Sequence, residues 1–196
     1  MKRIFDFVFS LLGLLILSPV FAVICVLIKL EDGGPVFYRG QRAGLNGKKF
    51  GMFKFRTMVL NADKIGGSST ADDDPRITKL GKTLRKYKLD EIPQLINVLA
   101  GEMSFVGPRP EVAVYVDMFT QEEKKILSVR PGITDWASLW DCDEGAILAG
   151  SADPEKTYME KIRPEKLRLQ LKYVASHSFW TDIAIIWKTF IKVVKR

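Results

Sequence analysis

Residues 4–28 read IFDFVFSLLGLLILSPVFAVICVLI, and the reading of this segment decides the architecture of the chain. It is long enough to cross a bilayer. Ser18-Pro19 falls in its middle, where Pro19 cannot donate to the carbonyl of Leu15, so the helix is expected to kink or break there. The Ser18 hydroxyl is suited to satisfy a carbonyl freed by the proline. Basic residues flank both ends, Lys2 and Arg3 before it and Lys29 after it. A straight crossing would carry one basic end to the far side, against the positive-inside tendency. A re-entrant helix that enters, bends at Ser18-Pro19 and returns keeps both ends on one side, and this is the expected form; a kinked spanning helix is the alternative. A cleaved leader is not expected, because Leu27-Ile28-Lys29-Leu30-Glu31 offers no small-x-small site.

Outside this run the chain reads as soluble. Of 196 residues, 47% are hydrophobic and 27% charged, as in an ordinary globular protein, and the formal net charge is +7. That charge favours anionic partners: lipid head groups, nucleic acid or phosphorylated substrates. Cys25 and Cys142 lack CxxC spacing, which argues against a disulfide framework or a cysteine-based zinc site and fits a reducing compartment. The single histidine, His177, reads as a surface or capping residue. No repeat or second globular domain is apparent. The expected organisation is a re-entrant membrane helix over 1–30 and one cytoplasmic or interfacial domain over 31–196. The expected fold class is α+β and helix-rich, with a small β-hairpin and interfacial amphipathic helices.

Along that domain, Gly33-Gly34-Pro35 ends the membrane element. Val36–Arg39 and Phe50–Arg56 are strand-like, and Asn46-Gly47 between them is a hairpin turn signal. Gly66 to Asp74 is a polar loop; its acidic run, Asp72-Asp73-Asp74, reads as solvated rather than as a metal site. Ile77, Leu80, Leu84 and Tyr87 recur at helical spacing, with Lys79, Lys82 and Lys86 on another face. A short helix follows from Asp90 to Leu99, with Pro93 in its first turn and Gly101 at its end. Thr120–Val129 carries another, opened by a Thr-Gln-Glu-Glu capping box and closed by Arg130-Pro131-Gly132. Ile133–Trp140 reads as a short strand or an irregular apolar stretch, and Pro154–Val174 as helix interrupted near Pro164. In the last helix Trp180, Ile183, Ala184, Trp187, Phe190, Ile191 and Val194 form one apolar stripe, with Lys188, Lys192, Lys195 and Arg196 off it. That stripe suits a membrane interface or the protein's own core equally.

Residues 85–110, RKYKLDEIPQLINVLAGEMSFVGPRP, carry the chemistry. Asp90 and Glu91 are adjacent carboxylates at a helix start, among Arg85, Lys86, Lys88 and Arg109. Two carboxylates with a divalent cation can share a site with a diphosphate, and magnesium prefers such oxygen ligands. Plain capping by Asp90 is the competing explanation. Two prolines bracket Arg109 in Gly107-Pro108-Arg109-Pro110, a stiff frame that suits a guanidinium aimed at phosphate. Alternation puts Lys54 and Arg56 on one face of Lys54-Phe55-Arg56-Thr57-Met58, facing phosphates, lipid head groups or solvent.

Taken in order, Ser18-Pro19, Lys54–Met58, Asp74-Pro75-Arg76-Ile77-Thr78, Leu89–Leu95, Val106–Pro110 and Arg130–Thr134 resemble the monotopic phosphoglycosyl transferases, bacterial sugar transferases that prime glycan assembly. The length resembles their minimal catalytic form, without further N-terminal spanning helices. The resemblance implies that Asp90 is a nucleophile that takes a phospho-sugar from a UDP-sugar and releases UMP. Polyprenol phosphate (undecaprenyl phosphate) would then attack and yield a polyprenyl diphosphate sugar. It further implies that Glu91 helps to hold Mg2+, that Arg109 contacts phosphate or nucleotide, and that Arg85, Lys54 and Arg56 join the site. Placement at the bacterial inner membrane, with the catalytic domain on the cytoplasmic face, also follows from it. A homodimer is compatible with the sequence and not required by it. The chain departs from the family pattern after Thr134: Asp135-Trp136-Ala137-Ser138-Leu139-Trp140-Asp141-Cys142-Asp143-Glu144 lacks an Asn-Gly-Arg segment, so the sugar is not read by analogy. Two other readings stand beside the enzyme. One is a non-enzymatic basic membrane adaptor that binds anionic lipid or assembly partners. A nucleic-acid binder is not expected, for want of a recognisable module or stacking aromatics.

Overall fold

The computed structural model of the chain describes residues 1–65, 70–140 and 144–194. Cys142, the start of the polar loop at 66–69, and Lys195 and Arg196 lie outside these residues. Helix α1 (Lys2–Asp32) takes up the whole apolar run and stops at Gly33, whose φ of 71° admits a left-handed cap with its N–H on Lys29 O. The helix does not break at Ser18-Pro19: it continues with Pro19 inside it. The Ser18 hydroxyl donates to Leu15 O at 2.8 Å, the acceptor that Pro19 leaves unused, so one missing backbone bond does not end the helix.

Strands β1 (Phe37–Ala43) and β2 (Lys49–Phe55) form the expected antiparallel hairpin, with Phe37 opposite Phe55. Asn46 and Gly47 turn it with φ of 55° and 75°, a left-handed pair that this dipeptide adopts readily. Short α2 (Ala62–Ile65) leads toward α3 (Lys79–Lys86), whose N-cap Thr78 accepts from Gly81 N at 2.9 Å. Next come a 3-10 turn at Leu89–Glu91 and α4 (Gln94–Ala100), closed by Gly101 at φ 83°. A parallel pair, β3 (Ser104–Val106) and β4 (Gly132–Thr134), brackets α5 (Ala113–Asp117) and a 3-10 helix at Glu123–Ser128. The capping box before that 3-10 helix forms as read: Thr120 N donates to Glu123 Oε2 at 2.7 Å and Glu123 N to Thr120 Oγ1 at 3.2 Å. Helices α6 (Trp136–Trp140), α7 (Glu144–Leu148) and α8 (Pro154–Thr157) follow, then a π turn at Tyr158–Ile162, α9 (Arg163–Ser176) and α10 (Phe179–Val194). Pro164 therefore opens α9 near its N-terminus rather than interrupting a helix.

Helix α1 packs along this domain at both ends. Near its start, Lys2 Nζ donates to Val106 O at 2.8 Å and pairs with Asp182 of α10. Asp6, buried within the apolar run, accepts from Ser104 Oγ at 3.0 Å and Phe105 N at 3.1 Å, which seats α1 on β3. Further along, Ile24 and Ile28 are buried with Phe55 of β2 and Leu84 of α3. At its end, Asp32 pairs with both terminal nitrogens of Arg56. The outward face stays apolar and exposed, including Leu15 (62%), Ile16 (73%) and Val23 (58%). By length and composition α1 is the one helix among the described residues able to cross a membrane. On α10 the aromatic stripe points outward, with Trp180 at 77% and Trp187 at 64% exposure, while Ile185 and Asp182 are buried against the domain. The stripe therefore does not cover the protein's own core. His177 is exposed, with Nδ1 2.9 Å from Val174 O, as a capping residue would be.

Candidate active site

Three segments meet around Asp90. The first is the turn that carries it. Lys88 holds a left-handed conformation, φ 56°, which costs a non-glycine residue about 1 kcal/mol and reverses the chain between α3 and the 3-10 turn. Asp90 then faces inward, 4% exposed. It caps no helix: Oδ2 lies 3.6 Å from Lys54 Nζ, and Oδ1 is buried with no hydrogen-bond partner. The capping explanation is thereby removed. Burial pushes the Asp90 carboxyl above its ordinary range, against the opposing pull of Lys54.

The second segment is β2. Asn97 of α4 accepts from Phe53 N at 2.9 Å and donates to Gly51 O at 2.9 Å, and so fastens α4 to the strand. That fastening sets Lys54 over the carboxylate pair, with Nζ 2.8 Å from Glu91 Oε1.

The third is the frame around Arg109. Gly107 and Gly132 approach so closely that a Cβ on Gly132 would lie 2.1 Å from Gly107 N, which admits only glycine there. Beyond that contact Arg109 N donates to Asp135 Oδ2 at 3.2 Å, and Gln170 Nε2 donates to Arg109 O at 3.3 Å. With the flanking prolines, these bonds aim the guanidinium at Glu91, which it holds through both terminal nitrogens. Burial raises the Glu91 carboxyl, but Arg109 and Lys54 outweigh it and hold the group well below its ordinary range. Glu91 in turn raises the Arg109 guanidinium further. The adjacent carboxylates thus differ: Glu91 is firmly ionised and clamped, while Asp90 keeps one oxygen uncommitted.

These groups open onto a cavity of about 1140 Å³, also lined by Arg85. The structure therefore brings together Asp90, Glu91, Lys54, Arg85 and Arg109. Arg56 lines the same cavity, but its guanidinium is taken by Asp32, and its Nε donates to Pro35 O at 2.7 Å. It ties α1 to the hairpin, and does not stand with Lys54 over the carboxylates. Ser18 and Pro19 lie on α1, outside this cavity lining. The sequence reading missed Asp32, whose pairing with Arg56 spans 24 positions, and it missed Glu111, Tyr158 and Lys166 on the cavity wall. Glu111 carried one signal, since it directly follows the rigid Gly107–Pro110 frame; Lys166 carried none. Chemically, the arrangement sets a carboxylate with one unpartnered oxygen beside three cationic side chains, in the wall of a space able to hold a large polyanionic ligand.

A family model described as bacterial sugar transferase matches residues 1–196. The chain is 38% identical over 198 residues to UDP-glucose:undecaprenyl-phosphate glucose-1-phosphate transferase of Escherichia coli K12, covering 98% of this chain and 40% of the relative. It is 36% identical over 191 residues to UDP-N-acetylgalactosamine-undecaprenyl-phosphate N-acetylgalactosaminephosphotransferase of Aeromonas hydrophila, covering 96% of this chain and 42% of the relative. It is also 36% identical over 203 residues to exopolysaccharide production protein ExoY of Sinorhizobium fredii, covering 96% of this chain and 83% of that protein. The chain thus spans about two fifths of the length of the first two relatives and most of the third.

Proposed function

Because the chain belongs to the bacterial sugar transferase family, we propose that it transfers a phospho-sugar from a UDP-sugar to undecaprenyl phosphate, with Asp90 as the nucleophile. The observation that carries this reading is a buried Asp90 whose Oδ1 has no hydrogen-bond partner, in the lining of a large cavity together with Lys54, Arg85 and Arg109. Asp90 Oδ1 attacks the sugar-bound phosphorus of the donor, the bond to the bridging oxygen breaks, and UMP leaves with that electron pair. The phospho-sugar remains on Asp90 as an acyl phosphate. A phosphate oxygen of the lipid acceptor then attacks the same phosphorus, releases the Asp90 carboxylate and forms the polyprenyl diphosphate sugar. A carboxylate is a modest nucleophile, but a covalent intermediate divides one difficult transfer into two. Lys54 and Arg109 stabilise the charge on the transferring group and keep Glu91 ionised beside it.

Magnesium fits the donor set. Glu91 Oε2 carries a single contact, 3.2 Å from Arg109 Nη1, and the buried Asp90 carboxylate beside it adds a second hard anionic group, its Oδ1 without a hydrogen-bond partner until it takes up phosphorus. Among the described residues no third metal-ligating side chain joins them. Substrate oxygens and water would complete the shell, as is usual for this ion. Glu91, with Asp90 beside it, would hold the ion, which when bound offsets charge on the diphosphate.

The placement we propose is supported by α1. The axis of a 31-residue helix is about 46 Å long, yet the two ends of α1 pair with residues of one domain, Lys2 with Asp182 and Asp32 with Arg56. A helix crossing a bilayer with that domain on one side would carry one end away from it. We infer that α1 is embedded with its apolar outer face in lipid and both ends on the cytoplasmic side of the bacterial inner membrane. The outward stripe of α10 would lie at the same interface. The cavity is then open to a water-borne nucleotide sugar and close to the lipid acceptor.

The test is release of UMP by purified protein in lipid, with magnesium, undecaprenyl phosphate and a panel of UDP-sugars. Release that depends on the acceptor and on one or a few sugars is expected. Absence of release from folded protein across a broad panel would return the weight to a non-enzymatic membrane adaptor.

A further inference from the structure

The cavity does not end at Arg109. Its wall continues through Pro110 to Glu111, Tyr158 and Lys166, with Arg42 of β1 alongside. Lys166 Nζ lies 2.7 Å from Glu111 Oε1 and donates to Tyr158 OH at 3.0 Å. Tyr158 OH donates to Glu111 Oε1 at 3.2 Å. All three residues are buried, and Tyr115 stacks on the Tyr158 ring with centroids 5.1 Å apart. The three polar groups are therefore fixed in place before any ligand arrives. Arg42 donates to Gln41 O at 2.9 Å and forms no salt bridge among the described residues.

A buried carboxylate–ammonium pair is costly to desolvate, and as a mere brace it would be matched or bettered by apolar side chains of similar size. On a cavity wall the same groups present an acceptor and donors side by side, the complement of adjacent hydroxyls. The Glu111 carboxylate disfavours phosphate here, while the cations around Asp90 favour it at the other end. Resting on the donor reading above, we propose that Arg42, Glu111, Tyr158 and Lys166 form the subsite for a neutral polyhydroxylated ring of the nucleotide sugar, either its hexose or its ribose. Glu111 and the remaining lone pair of Tyr158 OH accept from ring hydroxyls, Lys166 donates to them, and Arg42 closes the side nearest Arg109.

Titration calorimetry of the membrane-reconstituted chain in an Asp90→Asn background, which cannot form the covalent intermediate, tests this with magnesium and with the preferred UDP-sugar or UMP. In Glu111→Gln/Lys166→Met, which removes both charges together, donor affinity is expected to fall at least about tenfold while the melting temperature is kept. An equal fall for UMP assigns the ribose; unchanged UMP binding assigns the hexose. A folded double variant that binds donor and UMP like the Asp90→Asn parent overturns the subsite and leaves the enzyme reading intact. Should the double variant not fold, Tyr158→Phe decides, since it removes one hydroxyl and keeps the stacked ring: several-fold weaker donor binding supports the subsite, and unchanged binding overturns it. A wild-type chain that binds no UDP-sugar would overturn this inference together with the reading it rests on.

Discussion

At the residue scale, the site works by making two neighbouring carboxylates unequal. Glu91 is spent on Lys54 and Arg109, so it stays ionised, whereas Asp90 is buried with one oxygen uncommitted. Lys54 serves both, and its removal makes a directional prediction. Burial already raises the Asp90 carboxyl and Lys54 opposes that rise, so Lys54→Met moves it higher still. Attack needs the anion, which is lost as pH falls through the raised value. The acid limb of the kcat profile is therefore expected to shift upward in Lys54→Met, with at least a tenfold loss of kcat at neutral pH. A profile superimposable on the wild type would remove Lys54 from this role. Adjacent acids, strand alternation and a proline bracket marked Asp90, Glu91, Lys54 and Arg109 only as candidates, the ordered motifs of the family resemblance joined them, and the structure brings all four to one cavity. Arg56 was misplaced by the same alternation. Its partner Asp32 ends a different element, and no local pattern encodes that pairing.

At the element scale, the frame of Arg109 hangs on the parallel contact of β3 and β4. Gly107 and Gly132 meet backbone to backbone, and a Cβ at Gly107 would lie 2.3 Å from Arg130 O. Gly132→Ala is expected to destabilise the fold by about 2–3 kcal/mol, read by denaturant unfolding in detergent micelles, and to lower activity in the surviving folded fraction. Unchanged stability would show that the strands can part without cost. Turn and cap chemistry made many elements readable in advance: the Asn46-Gly47 hairpin, the Thr120–Glu123 box and the Gly101 stop all formed as read. The Glu123–Ser128 helix is 3-10 rather than α, and β3 and β4 are three residues each. Elements that short carry too few residues for periodicity to register. The run through Ser18-Pro19 continued as helix because one hydroxyl replaced the missing donor.

At the scale of the whole molecule, the proposed reading has α1 join a membrane surface to the reaction. Its ends are tied to α10 and to the β1–β2 hairpin, and from Ile4 to Leu27 its exposed face is apolar apart from Ser18. Single cysteines placed before Arg3 and after Asp32, in a Cys25→Ser/Cys142→Ser background in spheroplasts, are expected to react with an impermeant maleimide only after the membrane is opened. Labelling of one end in intact spheroplasts would establish a crossing helix instead. Composition located this helix, and the flanking charges suggested that both ends share a side. How it lies against the domain was not legible, because Asp6 and Asp32 find their partners 99 and 24 positions away.

The central claim is a phospho-sugar carried on Asp90. Its most direct measurement is intact mass, followed by peptide mapping, of chain incubated with its UDP-sugar and magnesium without lipid acceptor. An added mass of one phospho-sugar is expected on the peptide bearing Asp90, lost on addition of undecaprenyl phosphate and absent from Asp90→Asn. An adduct on another residue, or full turnover by folded Asp90→Asn, would contradict it.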